Sequence, residues 1–392
     1  MKMSLKKVLA AVLALTFLAA CFTACGSKGT GSSSSDGKTL KIGSSGPLTG
    51  DAAAYGIAVK NGIQLAVDEI NAAGGVNGME LEFQMEDDEA DAEKAVNAYN
   101  TLKDNGMKVF IGTVTTGACL SVVSQTKADN MFQITPSASA AKVIANDNCF
   151  QVCFTDPNQG TASADYIASK GLATKVAVIY NSSDAYSSGI YDNFKAEAAA
   201  KGLDLVASEA FTGDSKQDFS SQLSKIKASG AELIFLPIYY QEASLILSQA
   251  KNAGITAKFF GCDGLDGLLN IENFDKSLAE NVMLLTPFAA NATDETTKKF
   301  VAAYNAKYDP STLNQFAADA YDAVYVVKAA AEKAGVTGDM SVSDICNALK
   351  GAMTEITVDG VTGSGMTWKA TGEVNKEPKA VKIENGEYQP MD

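Results

Sequence analysis

From residue 40 onward, short apolar runs alternate with longer amphipathic stretches. Residues 40–45 predict a strand, and residues 54–73 carry apolar side chains at helical spacing before a Gly74-Gly75 stop. Further apolar runs predict strands at 81–86, 109–114, 131–135, 175–180, 205–211, 232–238, 258–262 and 282–285. Helices are predicted at 92–104, 119–128, 158–170, 294–308 and 313–334, with one ending at Lys201 and two beginning at Gln217 and Glu242. Residues 358–388 alternate apolar and polar positions, which predicts antiparallel strands.

This alternation predicts βαβ units, in which parallel strands form a sheet that helices cover on both faces. The pattern runs through residues 40–135 and restarts at residue 158, and 392 residues are more than one core normally supports. We therefore predict an α/β protein with two doubly wound, Rossmann-like lobes. Ligands of such sheets lie beyond the carboxyl ends of the strands, so the residues just after each strand are the functional candidates.

The segments that follow the predicted strands are rich in hydroxyl groups. Thr115-Thr116 opens a helix whose free backbone N–H groups suit a carboxylate, although these threonines could simply cap the helix. Residues 135–139 follow the next strand and offer the same chemistry. Asp263 follows a later strand, where it could pair with an ammonium group or cap a short helix. Four tyrosines that could enclose a small amphipathic ligand fall near element ends: Tyr55, Tyr186, Tyr239 and Tyr240.

The N-terminal segment has the pattern of an exported lipoprotein. Lysines precede an apolar run at residues 8–20, which is shorter than the roughly 20 residues that span a bilayer. The run ends at Leu18-Ala19-Ala20-Cys21, which resembles a bacterial lipobox, and Cys25 is the alternative lipidation site. We predict a signal peptide at residues 1–20 and, in residues 21–39, the lipidated cysteine and a flexible Gly/Ser linker.

Composition and missing motifs argue against several classes of function. The net charge of −14 at pH 7 argues against nucleic-acid binding, and the absence of histidine removes Ser-His-Asp triads and the commonest metal ligand. No Walker loop, dinucleotide fingerprint or CxxC motif occurs, so we predict neither a cofactor nor a metal. Ser139 and Lys142 match the S-x-x-K pattern of penicillin-binding enzymes without its K-T-G partner. A serine amidase or peptidase is therefore the weaker, enzymatic hypothesis.

Motifs in the same order along nearly the whole mature chain resemble the branched-chain amino acid (Leu/Ile/Val) binding proteins. These are receptors of ABC importers and have the type I periplasmic-binding fold. The resemblance is carried by IGSSGPLTGDAAAYG at 42–56, AVDEINAAGGVNG at 66–78, FTDPNQG at 154–160 and GDSKQDFSSQL at 213–223. It implies a receptor rather than an enzyme, in which two lobes close around a ligand cleft.

The family's binding mode, applied to the matching positions, implies how the ends of an amino acid are held. Thr116 and Ser139 would bind the α-carboxylate through hydroxyl and backbone N–H groups. The ammonium group would meet the Ser137 carbonyl, the Ser139 hydroxyl and Asp263.

The resemblance also implies that Tyr186 and Tyr239 clamp the ligand from the second lobe, while Tyr55 lines the side-chain pocket. The chain departs from the family at two positions: Asp263 stands where glutamate is frequent, and Ser187 where glycine is frequent. The identity of the ligand side chain therefore stays open, with another amino acid, an amide or an aromatic acid as alternatives.

For the domain organisation, the resemblance implies three crossovers between the lobes. The first lies near residues 156–157, the second near Pro287, and the third at residues 365–375. The N-terminal lobe would comprise residues 40–156 and 287–364, and the C-terminal lobe residues 157–286 and 376–392. We expect an extracytoplasmic monomer, anchored to the membrane by its lipid, that delivers its ligand to the permease of an ABC transporter.

Overall fold

The computed structural model describes residues 37–391, and two β-sheets form the centres of its two lobes. The strands of the first sheet are β1 (Thr39–Gly46), β2 (Glu80–Asp87), β3 (Val109–Ile111), β4 (Gln133–Thr135) and β5 (Cys149–Gln151). They are all parallel and lie in the order β2-β1-β3-β4-β5.

The second sheet contains seven strands. They are β6 (Lys175–Asn181), β7 (Asp204–Phe211), β8 (Leu233–Leu236), β9 (Lys258–Gly261), β10 (Met283–Thr286), β11 (Lys379–Glu384) and β12 (Glu387–Pro390). The order is β12-β11-β10-β9-β8-β6-β7, with β11 and β12 antiparallel and the other strands parallel. The prediction of an α/β protein with two doubly wound lobes is confirmed.

Ten α-helices occur within residues 37–391. They are α1 (Ala53–Ala72), α2 (Ala92–Asp104), α3 (Thr116–Ala128), α4 (Asp156–Ser169), α5 (Ala185–Ala200), α6 (Ser220–Ser229), α7 (Tyr240–Asn252), α8 (Glu295–Lys307), α9 (Gln315–Ala334) and α10 (Val342–Met353). None of these helices combines the length and apolar character that crossing a membrane requires.

The packing of α1 against α9 places the first residues of both helices beside the cleft. The apolar face predicted for α1 is buried, with Val59 and Ile63 fully inaccessible to solvent. A Cβ atom at Gly62 would lie 2.1 Å from the Ala317 carbonyl oxygen, so only glycine allows the two backbones to approach this closely. Tyr55 in α1 and Phe316 in α9 consequently meet, with ring centroids 4.6 Å apart.

The chain passes between the lobes three times. It leaves the first sheet after β5, returns after β10 to form α9 and α10 beside β3, and enters the second sheet again at β11. Ahead of β11, the Lys376 ammonium group donates to Asp319 Oδ1 in α9 (2.8 Å), and both side chains are buried. A buried ion pair of this kind fixes the last passage onto α9.

Some predicted bounds differ from the structure. The strand predicted at 109–114 ends at Ile111, because the following residues leave the sheet and line the cleft. The helix predicted from Gln217 begins at Ser220, where the Asp218 carboxylate accepts from the Ser220 N–H (2.9 Å). In the C-terminal segment, antiparallel pairing comprises isolated bridges at 358–374 and the pairing of β11 with β10 and with β12.

Candidate functional site

One small cavity lies between the lobes at the carboxyl ends of both sheets. Its empty volume is about 230 Å³. The lining residues come from the ends of strands and the first turns of helices: Tyr55, Val114, Thr115, Thr116, Ser137, Tyr186, Tyr239, Asp263, Gly264 and Phe316. Six of the seven residues predicted to bind a ligand are in this set. The seventh, Ser139, is fully buried beside it, where its backbone N–H donates to Thr116 Oγ1 (3.2 Å).

The first lobe contributes one wall of the cavity, which consists of a helix N-terminus next to a hydrogen-bonded turn. Helix α3 begins at Thr116, and Thr115 occupies the N-cap position without a side-chain cap hydrogen bond. The next strand ends at Thr135, whose hydroxyl donates to the Thr113 carbonyl (2.9 Å) and accepts from the Ala138 N–H (2.9 Å). This wall therefore offers hydroxyl groups and the positive end of a helix dipole, which suits an anionic group.

On the opposite wall, the Asp263 carboxylate is hydrogen-bonded to a tyrosine. The Tyr186 hydroxyl donates to Asp263 Oδ1 (2.6 Å) and accepts from the Gly264 N–H (2.9 Å). The Asp263 N–H donates to Gln159 Oε1 (3.2 Å). The Asp263 carboxylate accepts a hydrogen bond from Tyr186, and the short 3₁₀ helix begins at Asp263, with Cys262 at the N-cap position. Asp263 is therefore not the N-cap residue of this helix.

Burial sets the charge properties of this wall. It raises the pKa of Asp263 to about 7, although hydrogen bonds from Tyr186 and Gln159 act in the opposite direction. Burial and the negative charge of Asp263 also raise the pKa of Tyr186 well above its ordinary value, so the phenol stays protonated and donates. A carboxylate in this environment gains most from a cationic partner.

Tyr55 joins the two lobes. Its hydroxyl donates to the Gly264 carbonyl (2.5 Å) and accepts from the Tyr240 N–H (3.3 Å). Its ring makes an edge contact with Tyr239 (5.6 Å between centroids), and Tyr239 stacks on Tyr186 (4.9 Å). The side of the cavity that contains Tyr55 and Phe316 is therefore an aromatic enclosure.

Several polar atoms at the cavity make no hydrogen bond to the described residues. They are the hydroxyl oxygens of Thr115, Ser139 and Tyr239 and the Nε2 atom of Gln159. Buried polar atoms are normally paired, so these groups are the ones that remain for a ligand or water. The cavity lining includes no lysine or arginine, and within residues 37–391 no group of three or more cysteine and acidic side chains could hold a metal ion.

The positions of Ser139 and Lys142 in the structure do not support the enzymatic hypothesis. Ser139 is fully buried, whereas Lys142 is exposed, and no hydrogen bond joins them within the described part of the chain. Cys21 and Cys25, the candidates for lipidation, lie outside the described residues.

Phe316 was missed by the sequence reasoning. It is 3% exposed and lines the cavity from the second residue of α9. In the sequence it is one apolar position among many in a helical pattern, so no local signal distinguishes it.

Comparison with known proteins identifies the family to which this architecture belongs. Residues 39–387 match the family model described as periplasmic binding protein. The chain is 34% identical over 303 residues to a Leu/Ile/Val-binding protein homolog 3 of Brucella melitensis, covering 76% of this chain and 80% of that protein. It is 31% identical over 334 residues to the leucine-, isoleucine-, valine-, threonine-, and alanine-binding protein of Pseudomonas aeruginosa, covering 84% and 88%.

Among solved structures, the chain is similar to the branched-chain amino acid transporter substrate binding protein LivJ from Streptococcus pneumoniae in complex with isoleucine. The TM-score is 0.80 and the identity 30%, over 90% of this chain and 98% of that one. These relatives are substrate-binding proteins, which confirms the prediction of a receptor rather than an enzyme. By its match over residues 39–387, the chain belongs to the periplasmic binding protein family, which functions outside the cytoplasm.

Proposed function

We propose that the protein captures a free α-amino acid with a branched aliphatic side chain and delivers it to an ABC importer. The observation that carries the proposal is the arrangement of one cavity, in which a buried acid faces a helix N-terminus across aromatic side chains. An α-amino acid carries an ammonium and a carboxylate group on one carbon atom, and the two walls suit these two charges.

The carboxylate is assigned to the wall from the first lobe. Thr116 contributes a hydroxyl and the N-terminus of α3, and Ser139 lies within hydrogen-bond distance of that hydroxyl. Because no lysine or arginine lines the cavity, neutral donors and the helix dipole would have to balance the negative charge. Neutral hydrogen-bond donors and a helix N-terminus together can bind a small carboxylate.

The ammonium group is assigned to Asp263, together with the Ser137 carbonyl and the Ser139 hydroxyl. Asp263 is 3% exposed and already accepts from Tyr186, which orients its carboxylate towards the cavity. Charge-assisted hydrogen bonds in a buried site are about twice as strong as neutral ones.

The ligand side chain is assigned to the aromatic enclosure of Tyr55 and Phe316, which favours an apolar group. The relatives named for leucine, isoleucine and valine support the same class.

Closure of the lobes would bring Tyr186 and Tyr239 onto the ligand. We assign residues 40–156 and 287–364 to the N-terminal lobe and residues 157–286 and 376–392 to the C-terminal lobe, with hinge motion at the three crossovers. The Tyr55 hydroxyl, which contacts both the Gly264 carbonyl and the Tyr240 N–H, would be released when the cleft opens.

We further propose that Cys21 carries a lipid and that the protein acts as a monomer on the outer side of the membrane, where it meets its permease. The resemblance of residues 18–21 to a lipobox supports the anchor.

A thermal-shift screen tests the proposed ligand class. The purified protein, unfolded and refolded to remove bound ligand, would be screened against the twenty amino acids, aromatic acids and short amides. The proposal predicts the largest rise in melting temperature with leucine, isoleucine or valine. A rise with aromatic acids or amides alone would contradict it.

A further inference from the structure

The segment that leads into α1 contacts the second lobe along one edge of the cleft. The Asp51 carboxylate accepts from the Lys216 ammonium group (2.6 Å), and the Ala54 N–H donates to the Tyr240 hydroxyl (3.2 Å). Asp51 and Ala54 follow β1 in the first lobe, whereas Lys216 follows β7 and Tyr240 begins α7 in the second. None of the four residues lines the cavity, so these contacts can join the lobes without touching a ligand in it.

An acid of the second lobe holds Lys216 in place. Glu242 lies in the first turn of α7 and is 8% exposed, and its Oε1 atom is 3.8 Å from Lys216 Nζ. Burial raises the pKa of Glu242, whereas the charge of Lys216 lowers it. The hydrogen bond to Asp51 raises the pKa of Lys216, so the ammonium group stays charged. Lys216 is therefore a cation between one acid of each lobe, and its contact with Glu242 lies within the second lobe.

The Lys216–Asp51 ion pair depends on the distance between the lobes. Attraction between two charges weakens as they separate, and salt screens it over about 8–10 Å at physiological ionic strength. Hinge motion that opens the cleft would separate Lys216 from Asp51 but leave it beside Glu242. A contact that only the closed form makes shifts the equilibrium towards that form by its own free energy. Because the Asp51 side chain is 64% exposed, we expect the contribution of a surface ion pair, at most about fivefold in the closing equilibrium.

We propose that the Lys216–Asp51 ion pair is a latch that stabilises the closed lobes and slows release of the ligand. Both are positioning residues, since neither lines the cavity. The latch also makes the affinity for an amino acid depend on ionic strength. An α-amino acid has no net charge at neutral pH, and salt screens its contacts in a buried site far less than an exposed ion pair. This inference rests on the proposed function and adds a determinant of ligand release to it.

Calorimetry with L-leucine at low and high salt, about 0.02 M and about 0.5 M, tests the latch on the refolded protein. Asp51→Asn removes one charge from an exposed position. We expect its affinity for leucine at low salt to fall by about threefold, and the release of labelled leucine into excess unlabelled leucine to become faster by a similar factor. The difference from the unmodified protein should shrink at high salt, because salt weakens the pair in the unmodified protein.

Reversing the charge of residue 51 gives the sharper result. In Asp51→Lys two cations face each other when the cleft closes, so the affinity at low salt should fall by at least about fivefold. Added salt screens that repulsion and should raise the affinity of this variant, whereas it lowers the affinity of the unmodified protein. Asp51→Glu keeps the negative charge and should retain the sign of the salt dependence. A merely structural role of Asp51 would not reverse that sign.

Glu209→Gln is the matched control. It changes the net charge by the same amount as Asp51→Asn and breaks an ion pair of similar length, Lys225–Glu209 (2.8 Å), whose two residues both belong to the second lobe. It should leave the leucine affinity at both salt concentrations within about 1.5-fold of the unmodified protein.

A double-mutant cycle assigns the effect to the pair. In a Lys216→Met background, Asp51→Asn should alter leucine affinity by less than about 1.5-fold, because its partner is gone. Unchanged affinity in both Asp51→Asn and Asp51→Lys at low salt, or losses of equal size at both salt concentrations, would overturn the inference. Failure of the unmodified protein to bind leucine at either salt concentration would instead count against the proposed function, and that result needs no variant.

Discussion

Replacing Asp263 with asparagine perturbs the proposed ammonium site most directly. The substitution removes the negative charge but keeps the shape of the side chain and an oxygen that can accept from Tyr186. Asp263 is 3% exposed, so a ligand ammonium group would face it with little screening by water. The loss of one partner from a buried, hydrogen-bonded charge pair typically costs about 2–5 kcal/mol of binding free energy.

The lower end of that range fits this site. The Ser137 carbonyl and the Ser139 hydroxyl would still accept from the ammonium group. We expect Asp263→Asn to weaken amino-acid binding by at least about 2 kcal/mol, or roughly thirtyfold in the dissociation constant. The melting temperature of the ligand-free variant should not fall, because the substitution removes a buried charge whose pKa is raised to about 7.

The assay is titration calorimetry at pH 7.5 on the unmodified protein, Asp263→Asn and Asp266→Asn. Asp266 is a suitable control because it is also 3% exposed and burial also raises its pKa to about 7, yet it does not line the cavity. Its carboxylate accepts from the Gln315 N–H (2.8 Å), and an asparagine oxygen can do the same. Unchanged affinity in Asp263→Asn, or equal losses in both variants, would refute the assignment of the ammonium group to Asp263.

Three further predictions concern the anchor, the core and the pH dependence. Cys21→Ala should abolish incorporation of a lipid label in cells that export the full chain; labelling that persists would assign the anchor to Cys25. Lys376→Met should lower the free energy of unfolding by about 3 kcal/mol in urea titrations, because Asp319 would remain as an unpaired buried charge. A loss below about 1 kcal/mol would contradict a stabilising role for the Lys376–Asp319 ion pair. Because the folded-state pKa of Asp263 is about 7 and that of an unfolded aspartate about 3.9, the ligand-free protein should lose stability as pH rises from about 4 to 7. Thermal melts across that range check this, and Asp263→Asn should reduce the dependence; an unchanged dependence in the variant would argue against the raised pKa.

The sequence predicted the fold well because its signals are local and repeat. Apolar runs and helical spacing give each βα unit independently, so an error in one unit does not affect the next. Helix α10 was not predicted, although Ser341 and Asp344 have the spacing of an N-terminal cap. In the structure the Ser341 hydroxyl accepts from the Asp344 N–H (3.1 Å). The spacing of Ser341 and Asp344 is therefore the sequence signal from which this helix could have been predicted.

The bounds were less predictable where a buried segment is not a strand. Val109 and Val114 are equally apolar and buried, but only Val109 is in β3, while Val114 lines the cavity. Hydrophobicity reports burial and does not distinguish a sheet from a buried loop.

The candidate site was predictable as far as polar residues follow strands. Thr116, Ser137 and Asp263 were found by that rule, and the structure brings all three to one cavity. Phe316 could not be found in this way, because its position at the cleft depends on how helices from distant parts of the chain pack.

Titration of the refolded, unmodified protein with L-leucine, L-isoleucine and L-valine tests the central claim most directly. The account predicts binding of one molecule per chain with a dissociation constant of about 1 μM or below, equivalent to roughly −8 kcal/mol, for at least one of the three. Absence of measurable binding to all three would contradict it.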